Sequence, residues 1–375
     1  MRYLNNIKYA AMNLPGWHTQ RKLLVIHSDD WGSIRVPSDR VQAHLANNPM
    51  IDAANAYAHF DTLATAEDLE ALFDTLRKVK DKNGNSAVLT ANCLVANPNF
   101  EKIKDSNFRD YFFEPLEETF TRYKQEASLK LWREGQDEGL FIPQFHGREH
   151  VNVSLWMQAL QNNHRGVMEA FNAGVFGLNF KALHRRRENF QSAWDYENSE
   201  QSSVVLNSLI EGLEMFKNRF GFASTTAIAP AYIWSLEQEE ELKKLGVSQM
   251  QGRHIQGIPQ GEGKEIKNHS RLFHQPKFLQ LRNVFFEPSL QPKKDSVTDA
   301  FKRINLAFAL NKPAVVGSHR INFIGARSVE NRNKSLKLLE VLLQALVKRW
   351  PNIEFIHAAQ LLEIQRASGR NLPKI

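Results

Sequence analysis

The residues Leu23-Leu24-Val25-Ile26 form an unbroken apolar run that leads into His27-Ser28-Asp29-Asp30-Trp31-Gly32. Four apolar residues in a row, two of them β-branched, predict a buried strand. Two adjacent carboxylates at the end of such a strand are costly, because each charge raises the other's pKa and both resist desolvation. A divalent metal removes that cost: one acid becomes a ligand, and its neighbour is left to work as a base. Taken alone, the pair also suits a plain turn or a helix cap, so the rest of the chain has to decide.

The chain has 375 residues, of which 42% are hydrophobic and 24% charged, enough apolar material for a large core. Cys93 is the only cysteine, which excludes an internal disulfide and a cysteine-based metal site. The formal net charge is +7, but the basic residues are scattered. The one dense cluster, His184-Arg185-Arg186-Arg187, reads as a solvated loop. No nucleic-acid motif is present. The first 21 residues lack the apolar run of a secretory signal, and no stretch has the apolar length of a membrane span. The expectation is a cytoplasmic protein with no nucleic-acid partner.

Along the chain, strand patterns alternate with helical ones. Helices are expected over 66–81, 117–133, 203–220, 235–245, 295–310 and 333–350. Strands are expected over 86–95, 139–145, 224–233, 313–317 and 353–356. That alternation predicts an α/β fold with parallel strands. One domain over 1–375 fits best, with irregular excursions near 172–202, read as a lid, and near 252–291. Asp29-Asp30, His146, Tyr232 and His319 each fall at or near a strand end, where parallel barrels place working residues.

His146 and His150 are four residues apart, a spacing that puts both rings on one side of a helical or turn-like segment. Two imidazoles and a carboxylate make a common catalytic zinc set, with one position left for water. The same five residues also spell H-x-x-E-H, the inverzincin protease pattern, in which Glu149 would be the base.

These motifs resemble those of the polysaccharide deacetylases, the NodB-homology or carbohydrate esterase group within the glycoside hydrolase/deacetylase superfamily. Asp29-Asp30 with Gly32 is similar to the T-F-D-D-G motif, and His146 to His150 to H-(S/T)-x-x-H. The stretch around Pro230 and Tyr232 is similar to R-x-P-Y, and Ser318-His319 to L-x-H. The order matches, and the span covers most of the chain.

The resemblance implies a distorted (β/α) barrel of about seven parallel strands. It implies Asp29 as general base, His319 as general acid, and Asp30, His146 and His150 as ligands of one divalent metal, zinc by expectation. It places the backbone amide near Tyr232 at the oxyanion, with Pro230, Tyr232 and Trp31 at the substrate. The expected reaction removes an acetyl group from an N-acetylated carbohydrate. His27-Ser28 and Trp31 stand where the family has Thr-Phe and Gly, and Gly147 stands for Ser or Thr. The third motif has no Arg, since Thr226, Ala227 and Ile228 precede Ala229-Pro230. In the family that Arg orients the base. Arg35, Arg148 and Arg320 are candidates to replace it, because each lies close in sequence to a proposed site residue. A non-catalytic carbohydrate-binding relative is the alternative that the missing Arg suggests.

Overall fold

The structure is a computed structural model, and it describes residues 9–10, 13, 16–183, 188–261, 264, 266–270 and 279–368. The basic cluster at 184–187 lies outside the described residues. Eight strands lie side by side: β1 (Lys22–Trp31), β2 (Leu89–Leu94), β3 (Phe141–Gly147), β4 (Thr226–Ala227), β5 (Gln249–Gly252), β6 (Leu279–Leu281), β7 (Val284–Phe285) and β8 (Ala314–His319). Their spatial order is β6-β5-β4-β3-β2-β1-β8-β7, and every pairing is parallel. A ninth strand, β9 (Ile353–Phe355), pairs with the start of β1.

The sheet therefore curls almost in sequence order, as in a (β/α) barrel. Its two edges, β6 and β7, are consecutive in the chain, separated only by Arg282 and Asn283. One extended stretch, 279–285, thus pairs with β5 at its start and with β8 at its end. Arg282 N continues the first pairing by donating to Gly252 O, and Asn283 Oδ1 begins the second by accepting from Val315 N. About seven parallel strands were expected and nine lie in this sheet. The surplus comes from β6 and β7, too short to register as separate periodic signals.

Helices cover the outside. They include α1 (Ala66–Arg77), α2 (Glu126–Asp137), α3 (Ser199–Phe220), α4 (Ser296–Ala309) and α5 (Val329–Arg349), with α6 (Ala358–Ala367) at the end of the described chain. Thr65 and Asp68 form a capping box that starts α1. The helix expected over 117–133 is two helices, Leu116–Arg122 and α2, because Lys124 takes a left-handed φ of 56° between them. Apolar faces of these helices, including Leu72, Trp132, Phe216, Ile304 and Leu343, pack on Leu24, Ile26 and Phe141 of the sheet. The other face of β1, Leu23 and Val25, meets Val315 and Leu361 of α6.

A second apolar cluster flanks the strand ends. Phe176, Leu178, Phe180 and Phe190 join Ile51, Trp156 and Phe171 there. A short antiparallel pair ties Ile51–Asp52 to Asn179–Phe180. The described part of 172–202, the stretch read as a lid or excursion, is thus packed onto its own buried cluster.

Trp31 belongs to the core. Its indole stands edge-on to Phe141 at 4.9 Å and to Trp132 at 6.5 Å, and Nε1 donates to Ser28 Oγ at 3.0 Å. Replacing Trp31 by Ala should cost about 3–5 kcal/mol in urea unfolding, the usual range for a large buried aromatic. A substrate-contacting role would instead leave stability intact.

Candidate active site

In a regular strand, neighbouring side chains point to opposite faces. On that rule Asp29 and Asp30 could not share a site. The β1–β2 register slips between Ser28 and Trp31, and Asp30 has a φ of 74°, a left-handed value that Asp tolerates better than most residues. The bulge turns Asp30 to the same cavity as Asp29, and sends Trp31 to the helix-covered side.

Asp30 Oδ1 lies 3.2 Å from His146 Nε2 and 3.2 Å from His150 Nε2. The donor atoms of the three residues all fall within 4.8 Å of one another, and all three residues are buried. His146 ends β3, and His150 follows in the loop. The two rings meet because the chain turns at Gly147, φ 130°, and their centroids are 5.0 Å apart. The segment is turn-like, one of the two forms expected, and is not helical. A Cβ at Gly147 would come within 3.2 Å of Trp194 Nε1, and the left-handed backbone adds strain, which accounts for Gly at that position.

The donor set suits a divalent metal. His146 Nδ1 bonds to Ile228 O at 2.9 Å, which puts the proton on Nδ1 and leaves Nε2 with its lone pair facing Asp30. Burial lowers the His150 pKa, so its ring is neutral as a ligand must be. Burial raises the Asp30 pKa, and its interactions with His150 and Arg35 more than reverse this. Arg35 Nη2 holds the remaining oxygen, Oδ2, at 3.0 Å. Asp30, His146 and His150 could therefore hold one ion.

Asp29 is bound differently. Arg282 donates through Nη1 to Oδ2 and through Nη2 to Oδ1, both at 2.6 Å, and Asn92 Nδ2 adds a bond of 2.7 Å to Oδ1. Burial works to raise the Asp29 pKa, but the Arg282 charge and its paired hydrogen bonds hold the carboxyl well below its usual range. Arg282 is itself gripped. Nε donates to His27 Nδ1 at 3.3 Å, Nη2 to Gln251 Oε1 at 3.2 Å, and Nη1 to the Tyr232 hydroxyl at 3.3 Å. His27 can accept because burial, then the Arg282 charge, push its pKa well down and keep the ring neutral.

His319 ends β8, in register with Asp29 on β1. Its Nε2 is 3.8 Å from Asp29 Oδ2, and its Nδ1 meets Glu287 Oε1 at 2.7 Å. Burial lowers the His319 pKa, and the Glu287 carboxylate outweighs it, so that the ring is pushed up to about 9. Asn322 Nδ2 fixes the other Glu287 oxygen at 2.8 Å.

Asp29, Asp30, His146, His150, Tyr232 and His319 thus line one cavity of about 300 Å³. Other expected residues lie elsewhere. Trp31 is in the core, and Pro230 is buried without lining the cavity. The Tyr232 amide donates to Ala229 O, so it is not free for an oxyanion. None of the three arginines suggested for the base bonds to Asp29. Arg35 pairs with Asp30 and Asp61, and Arg320 with Asp61. Arg148 pairs with Glu149 and Glu211 and stacks on Phe113. Closeness in sequence failed here because Asp30, Asp61 and Glu149 are nearer partners. Glu149, the base of the protease reading, is held by Arg148 and Ser208 and does not line the cavity.

Sequence reasoning missed Arg282 and Glu287. The available signal was an Arg between two short apolar pieces, Leu279-Gln280-Leu281 and Val284-Phe285-Phe286, inside a region read as a polar excursion.

No family model and no curated protein matches this chain. Solved structures do match. A 4-alpha-glucanotransferase from Thermococcus litoralis aligns with 92% of this chain and 40% of its own, at a TM-score of 0.45 and 11% identity. This chain therefore spans less than half of that protein. A Pseudomonas aeruginosa PAO1 protein assigned as a polysaccharide deacetylase aligns over 92% and 91%, at 0.45 and 9%. A carbohydrate esterase family 4 pseudoenzyme from Bacillus anthracis aligns over 92% and 66%, at 0.38 and 9%. Structures described as polysaccharide or peptidoglycan deacetylases recur among these neighbours, all at TM-scores below 0.5.

Two outcomes follow from this geometry. His150→Ala removes one of three protein ligands, and zinc affinity by titration calorimetry should fall at least tenfold. Arg282→Met leaves the Asp29 charge buried without its partner, which should cost about 3–5 kcal/mol at pH 7. A depressed carboxylate stabilises the fold above its unfolded pKa of about 3.8 and loses that contribution as pH falls through the folded value. The variant's deficit in urea unfolding should therefore begin to shrink below about pH 4 and close only as pH falls through the much lower folded value, where the wild type loses the same pair.

Proposed function

We propose that this chain is a metal-dependent hydrolase that removes an acetyl group from an N-acetylated sugar. The observation that carries the reading is the shared cavity: the Asp30, His146 and His150 group stands beside a clamped carboxylate, Asp29, and a protonated imidazole, His319. The absent third-motif Arg suggested a binding protein without catalysis. Arg282 supplies a guanidinium on Asp29 from another strand end and removes that objection.

Asp30, His146 and His150 would hold the ion, which, when bound, supplies Lewis-acid polarisation of water and of an acyl carbonyl. Asp29 stays ionised at any physiological pH and accepts a proton from the attacking water. Its Oδ2 takes one hydrogen bond from Arg282 and keeps a lone pair toward the cavity. Arg282, fixed from four sides, prevents Asp29 from turning to the His pair as a further ligand. His319 carries a proton below about pH 9 and delivers it to the leaving amine as the C–N bond breaks. The products are acetate and a free amino sugar. Among the described residues no helix is long and apolar enough to cross a membrane.

Asp29→Asn keeps the shape and removes the base. Release of acetate from N-acetylated sugars by the zinc-loaded protein should fall by about two to four orders of magnitude with zinc content unchanged. No acetate release by wild-type protein over a broad panel of acetylated sugars would sink the hydrolase reading. Glu287→Gln tests the acid separately. It withdraws the charge that raises His319, so the alkaline limb of kcat/KM should move from near pH 9 toward neutrality.

A further inference from the structure

The cavity is walled on one side by residues that belong to neither the sheet nor the covering helices. Asn55 and Tyr57 come from one segment, and Gly177, Asn179, Asn189 and Gln191 from another. Both segments stand on the second apolar cluster, so the wall is built into the fold. Asn152, two residues after His150, anchors it. Its amide N accepts no slack: it donates to Phe190 O at 2.7 Å, and its Nδ2 donates to Asp195 O at 2.7 Å.

Within this wall Gln191 is unusual. Its backbone is fixed, with N donating to Asn189 Oδ1 at 3.0 Å and O accepting from Ala193 N at 2.9 Å. Its side-chain Oε1 and Nε2 are both buried, and neither meets a hydrogen-bond partner among the described residues. A buried amide with donor and acceptor both unmet is costly, and native structures rarely keep one without a use. Neighbouring amides are already satisfied in part: Asn189 Nδ2 donates to Asn179 Oδ1 at 2.8 Å.

The charges around the cavity are matched in pairs. Arg35 is balanced by Asp30 and Asp61, Arg282 by Asp29, and His319 by Glu287. Among the described residues that line the cavity, neither Arg35 nor His319 is left without a carboxylate partner for a phosphate or a uronate to replace. The wall itself offers neutral amides and the ring of Tyr57, whose far face is covered by Arg35 at 4.3 Å. A volume of about 300 Å³ is at the small end of ligand sites and has room for about one sugar ring.

We propose that Gln191 is a specificity-determining residue, its amide pairing with a hydroxyl or the acylamino group of the terminal N-acetylhexosamine of a small, neutral saccharide. This rests on the deacetylase reading above and adds its substrate class. The substrate enters end-on, because a cavity of about 300 Å³ has room for about one ring.

The test compares wild type with Gln191→Leu, both zinc-loaded, using N-acetylglucosamine, N-acetylgalactosamine, N-acetylmannosamine and the β-1,4-linked dimer and hexamer of N-acetylglucosamine. For the best of these, Gln191→Leu should raise Kd and KM about ten- to hundredfold, with kcat within threefold. Its Tm should equal or exceed that of wild type, since Leu removes an unmet polar group; a merely structural Gln would give a lower Tm. Mass spectrometry of the hexamer should show acetyl loss from the end residue alone. Unchanged Kd in Gln191→Leu, binding of none of these probes, or acetyl loss from internal residues would each overturn the proposal. Binding is also measured in Asp29→Asn. Gln191-dependent binding without turnover in wild type would end the hydrolase reading and keep this one, whereas turnover indifferent to Gln191 would do the reverse.

Discussion

The Arg282–Asp29 pair is the interaction on which the rest depends. Two hydrogen bonds of 2.6 Å join a fully buried guanidinium to a fully buried carboxylate. Such a pair survives burial only when the remaining polar atoms are also met. Asn92, His27, Gln251 and Tyr232 meet them, each from a different part of the curl. Gln251 passes the network on to Thr226, and Thr226 to Gln144, so the strand ends are joined through side chains as well as through the backbone. The interior of the curl is polar for this reason, and its geometry is set by hydrogen bonds more than by apolar packing.

That polarity explains which parts of the fold could be read from the sequence. β1 was legible because its first half is apolar on both faces, Leu24 and Ile26 toward the helices and Leu23 and Val25 toward α6. The helices were legible because one face of each is apolar. β5, β6 and β7 read only as short strand-like pieces beside a polar loop, because the buried Gln249, Gln251 and Gln280 break the apolar pattern of β5 and β6, and β7 is two residues long. The expected strand over 224–233 shrinks to Thr226–Ala227 because Pro230 opens a tight turn, and Ala231 and Tyr232 both take left-handed backbone.

The site followed the same division. Asp30, His146 and His319 could be named because each lies near the end of a strand that an apolar run announces, and His150 could be named from its spacing to His146. The partner of Asp29 could not. An Arg more than 250 positions away contacts it through the closure of the sheet, which no local pattern encodes. The amides of the wall were equally hidden, since Asn and Gln are ordinary loop residues until their surroundings bury them.

The stretch 279–285 is hydrogen-bonded to β5 at one end and to β8 at the other, and it carries Arg282 between them. Ring closure and orientation of the carboxylate are therefore one structural event. Without that stretch in place, Asp29 would keep the single bond from Asn92 and lose the paired bonds from Arg282. The clamp on Asp29 thus reports on the integrity of the whole ring: opening a single seam, far from the imidazoles, removes Arg282 from Asp29 while Asp30, His146 and His150 stay on strands and loops of their own.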